Sequence, residues 1–227
     1  KVRGGVPPEG ALALLRDDAM TQGAKLFASK CASCHAFDGT NGLGAPLVEK
    51  QTAPDLKGFG TREWLRGFLD PKQIETEKYF GGTAFSKPKA GRKKSKMVEF
   101  VVDEVSKFGA DEMKHLDAIT APIAPESKHP RQVQDDARDA ALIAEGRELM
   151  KSGALQCAEC HEYHDGDESL NPVLTAWGSR EWMMDFIRNP EHAKFYSRRN
   201  DRMPAFGDKG ELTPRQIEMI VDWMRAN

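Results

Sequence analysis

Two stretches constrain this chain more than any others: KLFASKCASCHAFDGTNG (25–42) and LMKSGALQCAECHEYHDG (149–166). All four cysteines of the 227 residues are used in them, as Cys31-Ala32-Ser33-Cys34-His35 and Cys157-Ala158-Glu159-Cys160-His161. Four chemistries use such pairs. Structural zinc sites place their CxxC pairs about 15–20 residues apart, far closer than here, although folding can join pairs over any distance and zinc stays an alternative. A thioredoxin-like pair would need one CxxC in a βαβ setting, which is absent. A disulfide within CxxC closes a very small loop and stabilises little. Only the fourth explains the histidine: two thiols add across the vinyl groups of a haem, and the next residue is then held under the iron as its proximal ligand. Two CxxCH motifs that consume every cysteine point to two covalent haems.

The motifs sit in a repeat, the feature to look for first in any chain. TAPDLKGFGTREWLRGFLD (52–70) aligns with LNPVLTAWGSREWMMDFIR (170–188), matching Pro54 to Pro172, Gly60 to Gly178, Trp64 to Trp182 and Phe68 to Phe186. The offset is 118 here but 126 between Cys31 and Cys157, so the first copy carries eight extra residues after its histidine. They fall in DGTNGLGAPLVEK, a glycine-rich loop where insertion costs little. In each copy a helix leads into the cysteines, roughly Asp18–Ser29 and Asp136–Lys151. A short helix follows, capped by Thr61 or Ser179 and stopped by Pro71 or Pro190. A terminal helix begins at LTPRQ with Thr213 as cap, Pro214 in the first turn and Gln216 closing a capping box. Its Ile217, Ile220, Val221 and Met224 share one face. The first copy has a poorer equivalent around Asp111–Ile119. No strand periodicity stands out, so the expected fold is all-α. The expected organisation is an extension over 1–17, a module over 18–119, a linker over 120–136 and a module over 137–227. The linker segment, TAPIAPESKHPRQVQDD, is rich in proline and charge; an ordered loop packed across both modules is the alternative.

Charge excludes one class of function. Residues 1–130 carry 20 Lys+Arg against 17 Asp+Glu, and residues 131–227 carry 13 against 18, with no concentrated basic face of the kind nucleic acid requires. No apolar run approaches the roughly 20 residues of a membrane span, and the opening KVRGGVPPEG is not a signal peptide. A chain that starts at lysine reads as a processed product or fragment, with any anchor outside it.

On these residues the chain resembles a dihaem c-type cytochrome built from two class I cytochrome c domains, over most of 18–119 and 137–227. The resemblance implies a leading helix that carries CxxCH, a methionine loop, a last helix packed on the first, and haem attachment outside the cytoplasm, in the periplasm or an equivalent compartment. It also implies a methionine opposite each histidine, whose thioether raises the reduction potential. In the second module NDRMPAFG matches the methionine loop and assigns Met203; His164 and His192 are rivals. In the first module Met97, in KKSKMVEF, takes that position, with Val98 where the family has proline. It lies 62 residues after His35, against 42 from His161 to Met203; Met113 and His115 are its rivals. Met183, Met184, Met219 and Met224 read as core filler. The preceding SKPKAGRKKSK (86–96) reads as a solvated basic loop or a surface that steers an acidic partner.

The expected function is one-electron transfer rather than catalysis. The opening GGVPPEGALALLRDD followed by a haem module resembles the segment before the dihaem portion of bacterial cytochrome bc complexes. That implies a Rieske protein as donor, cytochrome b alongside, and a downstream cytochrome c or oxidase as acceptor. A dihaem subunit of another respiratory complex or a free periplasmic carrier is the alternative. Dihaem peroxidases and thiosulfate-oxidising cytochromes form the enzymatic rival.

Overall fold

Side-chain caps start several of the helices of the computed structural model, which describes residues 8, 10–88, 90–91, 93–164, 171–195, 200 and 202–227. A short helix α1 (Ala11–Asp17) leads to Asp18, whose carboxylate accepts from Thr21 N at 2.7 Å and opens α2 (Ala19–Lys30). Thr61 accepts from Trp64 N at 3.1 Å to open α3 (Arg62–Phe68). Next come α4 (Lys96–Glu99), continued by a π turn (Phe100–Glu104) and a 3₁₀ turn (Val105–Lys107), and then α5 (Ala110–Glu126). The second half holds α6 (Val133–Arg138), α7 (Ala140–Lys151), α8 (Arg180–Arg188) and α9 (Pro214–Ala226). Ser179 caps α8 through Trp182 N at 3.1 Å. The box at Thr213 closes reciprocally with Gln216, at 3.3 and 2.8 Å. No strand occurs among the described residues, so the fold is all-α.

Two expected boundaries change. The segment 120–136 is ordered and largely helical. Helix α5 runs on to Glu126 through Pro122 and Pro125, and Ser127, His129 and Gln132 behind it are buried. Proline inside a helix removes one hydrogen bond and crowds the carbonyl four residues back, here that of Ala118. This carbonyl lies against the bare Cα of Gly146 on α7, where any side chain would overlap it. The second leading helix, expected as one piece, breaks at Asp139 into α6 and α7. The buried Arg62 guanidinium holds Asp139 at 2.5 Å and Asp136 at 3.2 Å, and Arg62 N donates to the Gln132 side chain.

The packing of the helices departs further from the family plan. The last helix of each module lies on the leading helix of the other: α9 on α2, and α5 on α7. Within a module α3 stays beside α5 and α8 beside α9. Two three-helix groups result, α2–α8–α9 and α7–α3–α5, each built from both modules. Both crossings close over glycine. Gly23 faces the Met219 carbonyl and Trp223 of α9, as Gly146 faces Ala118 and Pro122 of α5. The chains cross where the repeats meet: Gly60 and Gly178, with φ of 89° and 69°, stand Cα to Cα beside Ser127. Around that point Phe59 packs on Trp64 at 5.0 Å and on Trp177 at 4.8 Å, an aromatic seam shared by both modules.

The junction also carries a buried histidine. His129 accepts from Arg131 N through Nδ1 at 3.3 Å. Burial, then Arg225 and Arg131, pull its pKa from the usual 6.5 down to about 4. Between those values the unfolded chain binds a proton that the folded chain refuses. The contribution is therefore complete above pH 6.5 and is lost as pH falls towards 4, by up to about 3 kcal/mol. Unfolding free energies measured from pH 7 to 4 are expected to fall less steeply in His129→Asn, and parallel curves would refute the assignment.

Candidate functional site

Each CxxCH motif forms the same turn. Cys34 N and His35 N both donate to Cys31 O, at 3.0 and 2.8 Å; Cys160 N and His161 N donate to Cys157 O, at 3.2 and 3.0 Å. The thiols of a motif are thus carried on one tight bend, and none of the four cysteines is in a disulfide. The chain then loops back, and Leu56 N bonds Ala36 O at 3.0 Å as Leu174 N bonds Glu162 O at 2.8 Å. This return brings a proline carbonyl onto each imidazole: His35 Nδ1 to Pro54 O, and His161 Nδ1 to Pro172 O, both 2.8 Å. Nδ1 is therefore the protonated nitrogen, and Nε2 is left with its lone pair for a metal. Burial lowers the pKa of both histidines, which keeps that lone pair available. The matched prolines were visible in the repeat, but their role as orienting acceptors was not.

Behind the histidines each module builds the same aromatic set. Trp64 stacks on Phe68 (5.3 Å, 11°) and meets Tyr79 edge-on; Trp182 stacks on Phe186 (5.1 Å, 14°) and meets Phe195 edge-on. Trp64 Nε1 donates to Asp55 O at 3.3 Å, whereas the buried Nε1 of Trp182 has no partner among the described residues. Burial pushes the Cys31 thiol up to about 12 and that of Cys157 to about 11.

The methionines fall in different settings. Met203, partly buried before Pro204, packs on the large core that also receives Cys31 and Cys157, and its carbonyl accepts from Asn200 Nδ2 at 2.8 Å. Met97 lies on α4 rather than in an extended loop. It packs on a second cluster of Ile74, Val98, Val101, Val105 and Leu116, built largely from the first module's longer interval. The rivals lie in other settings. Met113 and His115 are exposed on α5, His164 Nε2 pairs with Glu126 at 2.8 Å, and His192 Nδ1 accepts from Lys194 N at 3.3 Å. Met183, Met219 and Met224 are buried, as core filler should be. The basic run is partly neutralised by its neighbours, Lys94 pairing with Glu75 at 2.6 Å and Lys96 with Glu99 at 2.9 Å.

Among the described residues no group of three or more His, Cys, Asp or Glu side chains gathers to hold an ion, so the two CxxC pairs are not brought together as a zinc site. The donor set fits haem instead: two thiols on one bend, an imidazole oriented through Nδ1, an apolar aromatic wall and, in the second module, an unanswered indole N–H. These features define a protein that carries c-type haem.

Comparison with protein families agrees. Residues 20–118 match the model for cytochrome c, and residues 141–224 match the model described as cytochrome c oxidase, cbb3-type, subunit III. The chain is a c-type cytochrome with two cytochrome c domains, and its chemistry is electron transfer by c-type haem. No curated protein and no solved structure matches it.

Proposed function

We propose that the chain is an extracytoplasmic electron relay with two covalent haems, serving as the dihaem cytochrome c portion of a respiratory cytochrome bc complex. Cys31 and Cys34 would hold one haem, and Cys157 and Cys160 the other. His35 and His161 would be the imidazole ligands, and Met97 and Met203 would supply sulfur ligands. When bound, haem supplies a reversible one-electron change at iron. The chain's own contribution is to orient each imidazole through a proline carbonyl and to keep the surroundings apolar, which favours the less charged state.

The observation that carries the relay reading is the duplicated bend with its His–Pro contact, since two such sites, each closed by a methionine, would suit passage of electrons better than substrate chemistry. The placement in a bc complex draws on the opening stretch, whose α1 leaves Leu12 and Leu15 more than half exposed, apolar surface suited to a neighbouring subunit. In that setting a Rieske protein is the donor and cytochrome b the membrane neighbour. The family match of residues 141–224 favours a second reading, entry of electrons into a terminal oxidase. The subunits that co-purify with the chain from native membranes separate the two. The bc reading expects cytochrome b and a Rieske protein. Oxidase subunits in their place overturn that reading in favour of the second. Reduced protein should also refuse carbon monoxide at both haems; ready binding at one would overturn the relay reading and indicate an enzyme.

A further inference from the structure

We infer that the sulfur ligands are exchanged between modules: Met97 faces the haem iron bound by His161, and Met203 faces the iron bound by His35. This rests on the two-haem reading above and reverses the pairing that chain order implies.

The first observation is the company Met97 keeps. Its cluster is built from Phe68 at the end of α3 and the segment after it, and among the described residues the CxxCH lobes add one member, Leu155, two positions before Cys157. Residues 18–56, which carry Cys31, Cys34 and His35, add none. The second observation is the helix that follows each methionine. Met97 leads into α5, and α5 lies on α7 and on the Ala154–Glu159 turn that enters the second motif. Beyond His161, Tyr163 reaches Pro122 O at 3.4 Å and Ala176 N donates to Glu126 at 2.7 Å, both on α5. Met203 leads into α9, and α9 lies on α2. Phe37, two residues after His35, packs on Trp223 of α9 at 4.4 Å.

Each histidine lobe therefore stands against the helix that follows the other module's methionine. Contacts that stay within a module include Asp55 N to Lys78 O at 3.1 Å and Val173 N to Lys194 O at 3.4 Å, at the residues just before Tyr79 and Phe195, and Ser95 N to Phe85 O at 2.8 Å and Gly207 N to Arg188 O at 3.2 Å, near the two methionines. None of these four joins a methionine to the CxxCH lobe of its own module. A haem tethered at Cys157 and Cys160 consequently meets the α4–α5 side of the first module, where Met97 is the available thioether.

The test uses the full chain with Cys157→Ala and Cys160→Ala, which retains the haem at His35. Adding Met203→Ala is expected to abolish the sulfur-to-iron charge-transfer band of the oxidised protein and to open the reduced haem to carbon monoxide. Adding Met97→Ala should leave both properties unchanged. Loss with Met97→Ala, or with neither, overturns the exchange. Should the single-haem chain not fold, nuclear magnetic resonance of the intact dihaem protein decides. The haem-shifted methyl signal that vanishes in Met97→Leu should show through-space contacts to the haem bridged by Cys157 and Cys160; contacts to the other haem overturn the inference. An intact mass without covalent haem would instead refute the two-haem reading, before any ligand variant is compared.

Discussion

Gly146→Val is expected to lower the unfolding free energy by roughly 3 kcal/mol or more, with Gly23→Val close behind. The cause is backbone on backbone. At Gly146 a Cβ would overlap the Ala118 carbonyl oxygen and come within 2.6 Å of Pro122 Cδ; at Gly23 it would overlap the Met219 carbonyl and the Trp223 Cβ. A carbonyl in a helix cannot rotate away as a side-chain tip can, so the helices must separate. Packed interiors tolerate such separation poorly. At Gly146 there is a further cost, because the Ala118 carbonyl, already deprived of a donor by Pro122, would face a methyl group. Denaturant midpoints of the two variants check this. Midpoints within experimental error of the parent protein would mean that the helices do not cross at these glycines.

Trp223→Ala is expected to cost roughly 3–5 kcal/mol and to reveal the exchange by where the damage falls. Trp223 belongs to the second module, yet its ring packs on Phe27 at 5.3 Å and on Phe37 at 4.4 Å, both in the first. The equivalent position on α5, facing Gly146 as Trp223 faces Gly23, is Pro122. If α2 turned back onto its own module's last helix, it would meet a small ring where it now meets an indole, leaving Phe27 and Phe37 without that wall. The two crossings are therefore not interchangeable, which favours the exchanged arrangement over the closed one. Hydrogen exchange on Trp223→Ala should quicken most in α2 of the first module and spare α7. Faster exchange in α7 with α2 protected would contradict the exchange.

Much of this was legible in the sequence. Thr61, Ser179 and Thr213 are short polar residues placed before apolar periodicity, and each caps the helix it heralds; Asp18, expected as the first helical residue, is a further cap. The CxxCH bends and the doubled Trp–Phe stacks follow from local pattern alone. What was not legible depends on long-range choice. Gly23 marks a close helix crossing but does not say whether the carbonyl pressed on it belongs to residue 118 or 219. The prolines at 122 and 125 signal a break under local rules, and only the facing Gly146 shows how the helix accommodates the first of them. The asymmetry of the methionines has the same origin: Pro204 after Met203 is a local signature, whereas Met97 depends on a second apolar cluster assembled from residues 74 to 116.

The most direct test is the intact mass of the purified full-length chain under denaturing conditions, where only thioether bonds keep haem attached. The account predicts the polypeptide plus two haems, falling to one in Cys157→Ala/Cys160→Ala. A parent mass with one haem or none would contradict it.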